Sequence, residues 1–338
     1  MHKISWLNGD RKGETWNPHV GCSKTSPGCS HCYAETMAVR LAAMPATRDL
    51  YGQVVEWKCE HREEGEYNTF GARAKGWNGK TAFSETALVK PLSWKKPRTV
   101  FVCSMSDLFH ESVPDEWIDR IYAVMTLCPQ HRFIVLTKRS KRMREYMSST
   151  RDFTDARKRL GLGIASGIQI CSTPWSLPNV AHMVTAENQE MADERIPDLL
   201  ATPSALRGVS IEPMLAGVDL TEIYDEDYTH FCALTGWKSD SVDTYSTNKL
   251  DLVICGGESG QGARPMHPDW ARSLRDQCAA AGVPFHFKQW GKYLPRDVTG
   301  QIKFNGTYVP AGNDSFSKKY MRLLDGREHN GTFRWPDA

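Results

Sequence analysis

The sequence predicts an α/β fold on a mostly parallel sheet: a partial or complete TIM-like (β/α)6–8 barrel with inserted loops. Two observations predict it. Between residues 99 and 288, short apolar runs alternate with amphipathic stretches of helical period, and such alternation builds right-handed βαβ units. Polar and charged residues also follow directly on the ends of the apolar runs, which is where parallel barrels keep their chemistry.

The elements follow in order. Tyr33 to Leu41 reads as a helix and Thr99 to Ser104 (TVFVCS) as a buried strand. Pro114 to Leu127 is a helix with Pro in its first turn, and Arg132 to Thr137 (RFIVLT) is the next strand, trailed by a basic helical stretch. Ile168 to Ser172 and Leu206 to Ile211 are strands flanking a helix over Glu187 to Ala201. Asp251 to Cys255 (DLVIC), a helix over Pro268 to Ala281 and Pro284 to Lys288 (PFHFK) complete the series. Residues 1–291 therefore form the barrel. It carries one insertion at about 48–82, rich in Gly, Glu and Trp, and a second at about 221–248, acidic and aromatic. Residues 292–338 read as an irregular extension.

The 338 residues are 40% hydrophobic and 24% charged, the balance of a globular protein with a substantial core. A formal net charge of +2 excludes a global field that would mark a nucleic-acid or membrane protein. No apolar run approaches the roughly 18 residues of a membrane span, and Met1 to Asp10 lack the apolar core of a signal peptide. A cytoplasmic location is expected, without a membrane partner. There the ten cysteines would not pair as structural disulfides.

The densest chemical signal is TWNPHVGCSKTSPGCSHCYAE, Thr15 to Glu35, which spaces Cys22, Cys29 and Cys32 as C-x6-C-x2-C. Gly21 and Pro27-Gly28 make it a loop able to fold three thiolates around one centre. Iron–sulfur clusters are held by thiolates, usually four; three would leave one iron open for an exogenous ligand. The spacing also admits a zinc site completed by His19, His31, Cys59 or His61, or unconnected buried thiols.

The strand ends offer further candidates. Ser104, Ser106 and Asp107 in SMSDLFHE could bind a ribose or an amino acid, or simply cap a helix. Lys138, in Thr137-Lys138-Arg139, could meet a carboxylate or a phosphate. Nine of the 22 residues from Lys138 to Arg159 are Lys or Arg, which suits a solvated helix face better than a nucleic-acid contact. Glu212, directly after an apolar strand, could hold an ammonium or ribose group, or form a structural ion pair. Gly256, Gly257 and Glu258 let a ligand approach the backbone closely.

Cys29-Ser30-His31-Cys32 resembles the end of the radical S-adenosylmethionine signature, with His31 at a usually aromatic position and a longer first gap than usual. More broadly, the chain resembles a phage- and prophage-associated family of three-cysteine-motif proteins of unknown function. The matching stretches are TWNPHVGC, GCSHCYAE, SMSDLFHESVP, LTKRSKRM, AENQEMADERIP, VSIEPML, GGESGQGARPMHPDW and FHFKQWG, spread from about residue 14 to residue 292.

That resemblance implies a [4Fe–4S] cluster on Cys22, Cys29 and Cys32, with S-adenosylmethionine as co-substrate and a reductant such as flavodoxin or ferredoxin. It implies radical chemistry of isomerase or lyase type on a nucleotide or phage DNA base, for example in thymine hypermodification. The competing reading is a zinc-stabilised nucleic-acid-binding or hydrolytic protein.

Overall fold

In the computed structural model the described residues are 4–7, 9–59, 72–149, 176–225, 229–239, 244–246, 248–295, 306–312 and 315–336. Seven strands form one parallel sheet in the order of the chain: β1 (Lys12–Trp16), β2 (Arg98–Val102), β3 (Arg132–Thr137), β4 (Val180–Thr185), β5 (Leu206–Ile211), β6 (Leu252–Gly256) and β7 (Phe285–Gln289). The sheet curls into a half-barrel. Five helices of eight or more residues are described: α1 (Tyr33–Ala43), α2 (Asp115–Thr126), α3 (Ser140–Ser148), α4 (Gln189–Ala201) and α5 (Pro268–Ala281).

Local chemistry accounts for the helix boundaries. Asp115 and Glu116 occupy the first turn of α2, where carboxylates offset the positive end of the helix. Asn188 caps α4 through the Met191 amide at 3.0 Å. Pro268 opens α5 and left-handed Gly282 (φ 67°) closes it.

Alternation along the strands sorts their side chains onto two faces. Val100, Val102, Phe133 and Val135 join Ile118, Ile121 and Tyr122 of α2 in the larger core. Phe101, Ile134, Met183 and Ile254 point to the opposite face and pack with Trp6, Leu7 and Phe333. Both ends of the chain thus plug the inner face of the half-barrel.

Two strands differ from the sequence expectation. β1 is polar (KGETW) and lies at the sheet edge, so no apolar run marks it. β4 is entirely buried, but His182 interrupts its apolar run; the strand expected over Ile168 to Ser172 lies outside the described residues.

Within the first insertion, Val55–Cys59 and Ala72–Trp77 pair as an antiparallel ribbon, and Val54, Val55 and Tyr51 pack on Ala34, Ala38 and Ala42 of α1. The second insertion contributes a four-stranded antiparallel sheet between β5 and β6. The expected irregular extension is more ordered than its composition suggests. It forms a ribbon (Tyr293–Pro295 with Tyr308–Pro310) and a short helix (Ser315–Tyr320), and it delivers Phe333 to the core.

Candidate functional site

The loop after β1 carries all three cysteines and crosses the carboxyl end of the sheet. Its root is tied to the turn after β2. Asn17 Oδ1 accepts from Ser104 Oγ at 3.2 Å and from the Met105 amide at 3.0 Å, and Ser106 Oγ donates to the His19 carbonyl at 3.0 Å. Cys103, in the left-handed region at φ 59°, makes the sharp turn that brings these groups over β1. Ser104 and Ser106 therefore brace the cysteine loop, and the Ser104 carbonyl also accepts from the Tyr33 hydroxyl at 2.7 Å.

The far side of the loop is clamped by two charged groups from other strand ends. Glu187, just past β4 and fully buried, accepts from the Gly28 amide at 3.0 Å, from Lys138 Nζ at 3.4 Å and from Arg195 at 3.2 Å. Arg264, beyond β6, donates to the Pro27 carbonyl at 3.0 Å while chelating Glu258 at 2.6 and 2.8 Å. Burial alone would raise the Glu187 carboxyl. Lys138, Ser26, Arg195 and the Gly28 amide outweigh it and hold the group below its usual range.

Asp107 is buried and its two oxygens accept four hydrogen bonds, from the Phe109 and Lys138 amides, Thr137 Oγ1 and Arg139. Burial would raise its carboxyl, but Arg139 and those donors hold it low. It locks the turn after β2 onto the end of β3 and fixes Arg139. That guanidinium reaches Glu111 at 3.1 Å, Ser23 Oγ at 3.0 Å and Cys22 Sγ at 3.6 Å.

The three thiols sit in unequal fields. Burial pushes Cys22 up to about 12, with Asp107 adding to the rise and Arg139 opposing it. Burial also raises Cys32, against the amides of Glu35 and Ala34. Cys29 ends below its ordinary value: burial raises it, but the Thr25 backbone, the Lys138 ammonium and Ser26 outweigh that effect. Each neighbouring pair feels the other's charge, Cys22 with Cys32 and Cys32 with Cys29.

Among the described residues no three His, Cys, Asp or Glu side chains converge to hold a metal ion. A [4Fe–4S] cluster takes thiolate ligands, and the cysteine loop carries three of them on one segment. The donor set fits a [4Fe–4S] cluster held by Cys22, Cys29 and Cys32. Of the alternative zinc ligands, His19 is sealed in the core, 3.2 Å from Cys103 Sγ, and burial depresses its imidazole to about 3. His31 stands against Gly262. His61 and the Cys59 side chain lie outside the described residues.

The remaining candidates meet at the other edge of the mouth. Glu212 accepts from Ser210 Oγ at 3.2 Å and from Lys288 Nζ at 3.1 Å. Gly256 sits under it: an added Cβ would lie 2.4 Å from Glu212 Oε1. At Gly257 a Cβ would strike the Trp290 carbonyl, so this glycine serves packing between β6 and the end of β7. Trp290 is buried and donates to the Leu323 carbonyl at 2.8 Å, a core plug rather than a stacking platform.

The described part of the basic stretch is largely committed inward: Lys138 to Glu187, Arg139 to Asp107, Arg142 to Asp115 and Arg144 to Asp198. Residues 150–159 lie outside the described part, as do Ser172 and Thr173. Sequence reasoning missed the clamping by Glu187 and Arg264 and the reach of Arg139 to Cys22. A carboxylate directly after a strand was the available signal for Glu187; the other two contacts join segments over 100 residues apart.

No helix among the described residues is long and apolar enough to cross a membrane. Comparison with curated proteins and with solved structures gives no match. A family model described as a protein of unknown function, DUF5131, matches residues 2–333, and the chain belongs to that family.

Proposed function

We propose that this protein is a radical S-adenosylmethionine enzyme whose [4Fe–4S] cluster is held by Cys22, Cys29 and Cys32. One observation carries the reading. A loop carrying three cysteines is clamped across the carboxyl end of a parallel half-barrel, the end at which barrel enzymes work.

When bound and reduced by one electron from a flavodoxin- or ferredoxin-type donor, such a cluster supplies reductive cleavage of S-adenosylmethionine to methionine and a 5′-deoxyadenosyl radical, which abstracts a substrate hydrogen. The chain's own residues bind and shield. Ser104, Ser106 and Asp107 fix the root of the loop, while Glu187 and Arg264 fix its crown. Lys138, Glu212 and Glu258 ring the mouth with charges that suit the carboxylate, ammonium and ribose of the co-substrate. Gly256 leaves room for the Glu212 carboxylate, and Gly257 lets the end of β7 approach. The substrate class implied by the sequence resemblance is a nucleotide or a modified DNA base, with isomerase- or lyase-type chemistry.

Metal and sulfide analysis of anaerobically purified protein tests this, with Cys29→Ala as control. About four irons and four sulfides per chain, lost in the variant, together with 5′-deoxyadenosine formed from S-adenosylmethionine and dithionite, is the expected result. One zinc and no sulfide would overturn it and establish the structural-zinc reading.

A further inference from the structure

Lys138 and Arg139 are adjacent, yet they reach different parts of the cysteine loop, Lys138 by way of Glu187 and Arg139 directly. Arg139 donates to Cys22 Sγ at 3.6 Å and to the neighbouring Ser23 at 3.0 and 3.2 Å. Lys138 meets Glu187 at 3.4 Å, the carboxylate that also accepts from the amide of Gly28, next to Cys29. Neither cation is loose. Arg139 is nine-tenths buried and held by Asp107 at 3.1 Å and Glu111 at 3.1 Å; Lys138 is held by Glu187 at 3.4 Å. The end of β3 thus delivers two fixed positive charges to the cysteine loop, and buried carboxylates orient them.

Fixed charges and hydrogen bonds to sulfur tune the potential of an iron–sulfur centre. One-electron reduction adds one negative charge to the cluster and its thiolates, while the donor loses that electron. A nearby cation therefore stabilises the reduced form more than the oxidised one. We propose that Arg139, with Lys138 beside it, is a positioning residue that raises the reduction potential of the cluster through its charge and its hydrogen bond to Cys22. The proposal rests on the iron–sulfur reading above.

Glu111 supplies a control of opposite sign. Its side chain is 64% exposed and pairs with the Arg139 Nε, so neutralising it disturbs the fold little and leaves the guanidinium charge less compensated. The test is a redox titration of the anaerobically reconstituted full chain with dithionite, followed by optical and electron paramagnetic resonance spectra, beside iron and sulfide content. R139Q is expected to shift the midpoint to more negative potential, giving a smaller reduced fraction at any fixed ambient potential. R139K should retain most of the wild-type value, and E111Q should shift it the other way.

R139Q at full loading with an unmoved midpoint would overturn the proposal. Should R139Q fail to load, E111Q decides: a positive shift supports the proposal and an unmoved midpoint overturns it. Wild-type protein that takes up no cluster would overturn the iron–sulfur reading itself, a result distinguishable from loaded protein with unmoved potentials.

Discussion

The two ends of the half-barrel strands are built from opposite materials. At the carboxyl end, Glu187, Asp107, Glu212 and Glu258 each meet a cation within 3.4 Å, and all but the Glu212 pair reach the cysteine loop. Away from it, the inner face is apolar and plugged by Trp6, Leu7 and Phe333. Two buried histidines away from the mouth have neutral partners: His286 with Ser5 at 3.0 Å, and on the helix side His182 with Tyr122 at 2.7 Å. A buried ion pair is weak evidence for stability, because desolvation offsets much of its attraction. Several of them gathered at one end of the sheet therefore mark positioning, whereas the plug marks folding.

The largest effects should separate those roles. Glu187→Gln leaves Lys138 and Arg195 without their carboxylate in a site of zero exposure, at a cost of about 3–5 kcal/mol. Phe333→Ala removes the plug's aromatic ring and costs a similar ~3–5 kcal/mol. Urea denaturation should rank the two together. Cluster loading of the folded protein should not: it should fall in Glu187→Gln, whose amide no longer anchors against Lys138 and Arg195 and so holds the Gly28 amide less firmly, and stay at the wild-type level in Phe333→Ala. Equal loading in both would erase the distinction between the ends.

Much of the scaffold was legible in the sequence because the buried strands of a parallel sheet are continuous apolar runs. RFIVLT, LRGVSI and the α5 helix stand within a residue of where they read. β1 escaped because an edge strand half open to solvent tolerates polar residues, and β4 because a histidine satisfied by Tyr122 and Ser204 looks like a break. The cysteine loop was legible as a loop, since Gly and Pro punctuate it. Its clamps were not: spacing carries no information on which of several strand-end charges reaches back to a carbonyl at Pro27 or a thiol at Cys22.

Acid should act on the buried histidines and on the mouth carboxylates in separate windows. Burial depresses His19 and His182 to about 3 and His286 to about 4, against about 6.5 in an unfolded chain. Between those values the unfolded state binds protons that the folded state refuses, so stability is complete above about pH 6.5 and falls as pH drops toward 3. Glu187 and Asp107 are held below their ordinary values. Their contribution is complete above the unfolded carboxylate range, about pH 4, and is lost as pH falls through their folded values. Denaturation midpoints measured from pH 8 to pH 4 should start to fall near 6.5, and His182→Gln should flatten that first decline. A decline confined to below pH 4.5 would assign all of the acid sensitivity to the carboxylates.

The smallest effects come from two left-handed glycines, one in each setting. Gly282 closes α5 at φ 67° with open space around its missing Cβ. Gly282→Ala should therefore cost only the left-handed backbone term, about 1–2 kcal/mol. Gly262 sits at φ 76° beyond β6, and a Cβ there would lie 2.6 Å from His31 Cε1. Gly262→Ala should cost the same backbone term, because exposed His31 can swing away. His31 lies between Cys29 and Cys32, however, so its displacement should lower iron and sulfide content where Gly282→Ala does not. Thermal midpoints compared with metal content across the two variants read this directly. Loading lowered equally by both would mean that it follows stability in general and not the fit of the cysteine loop against the turn after β6.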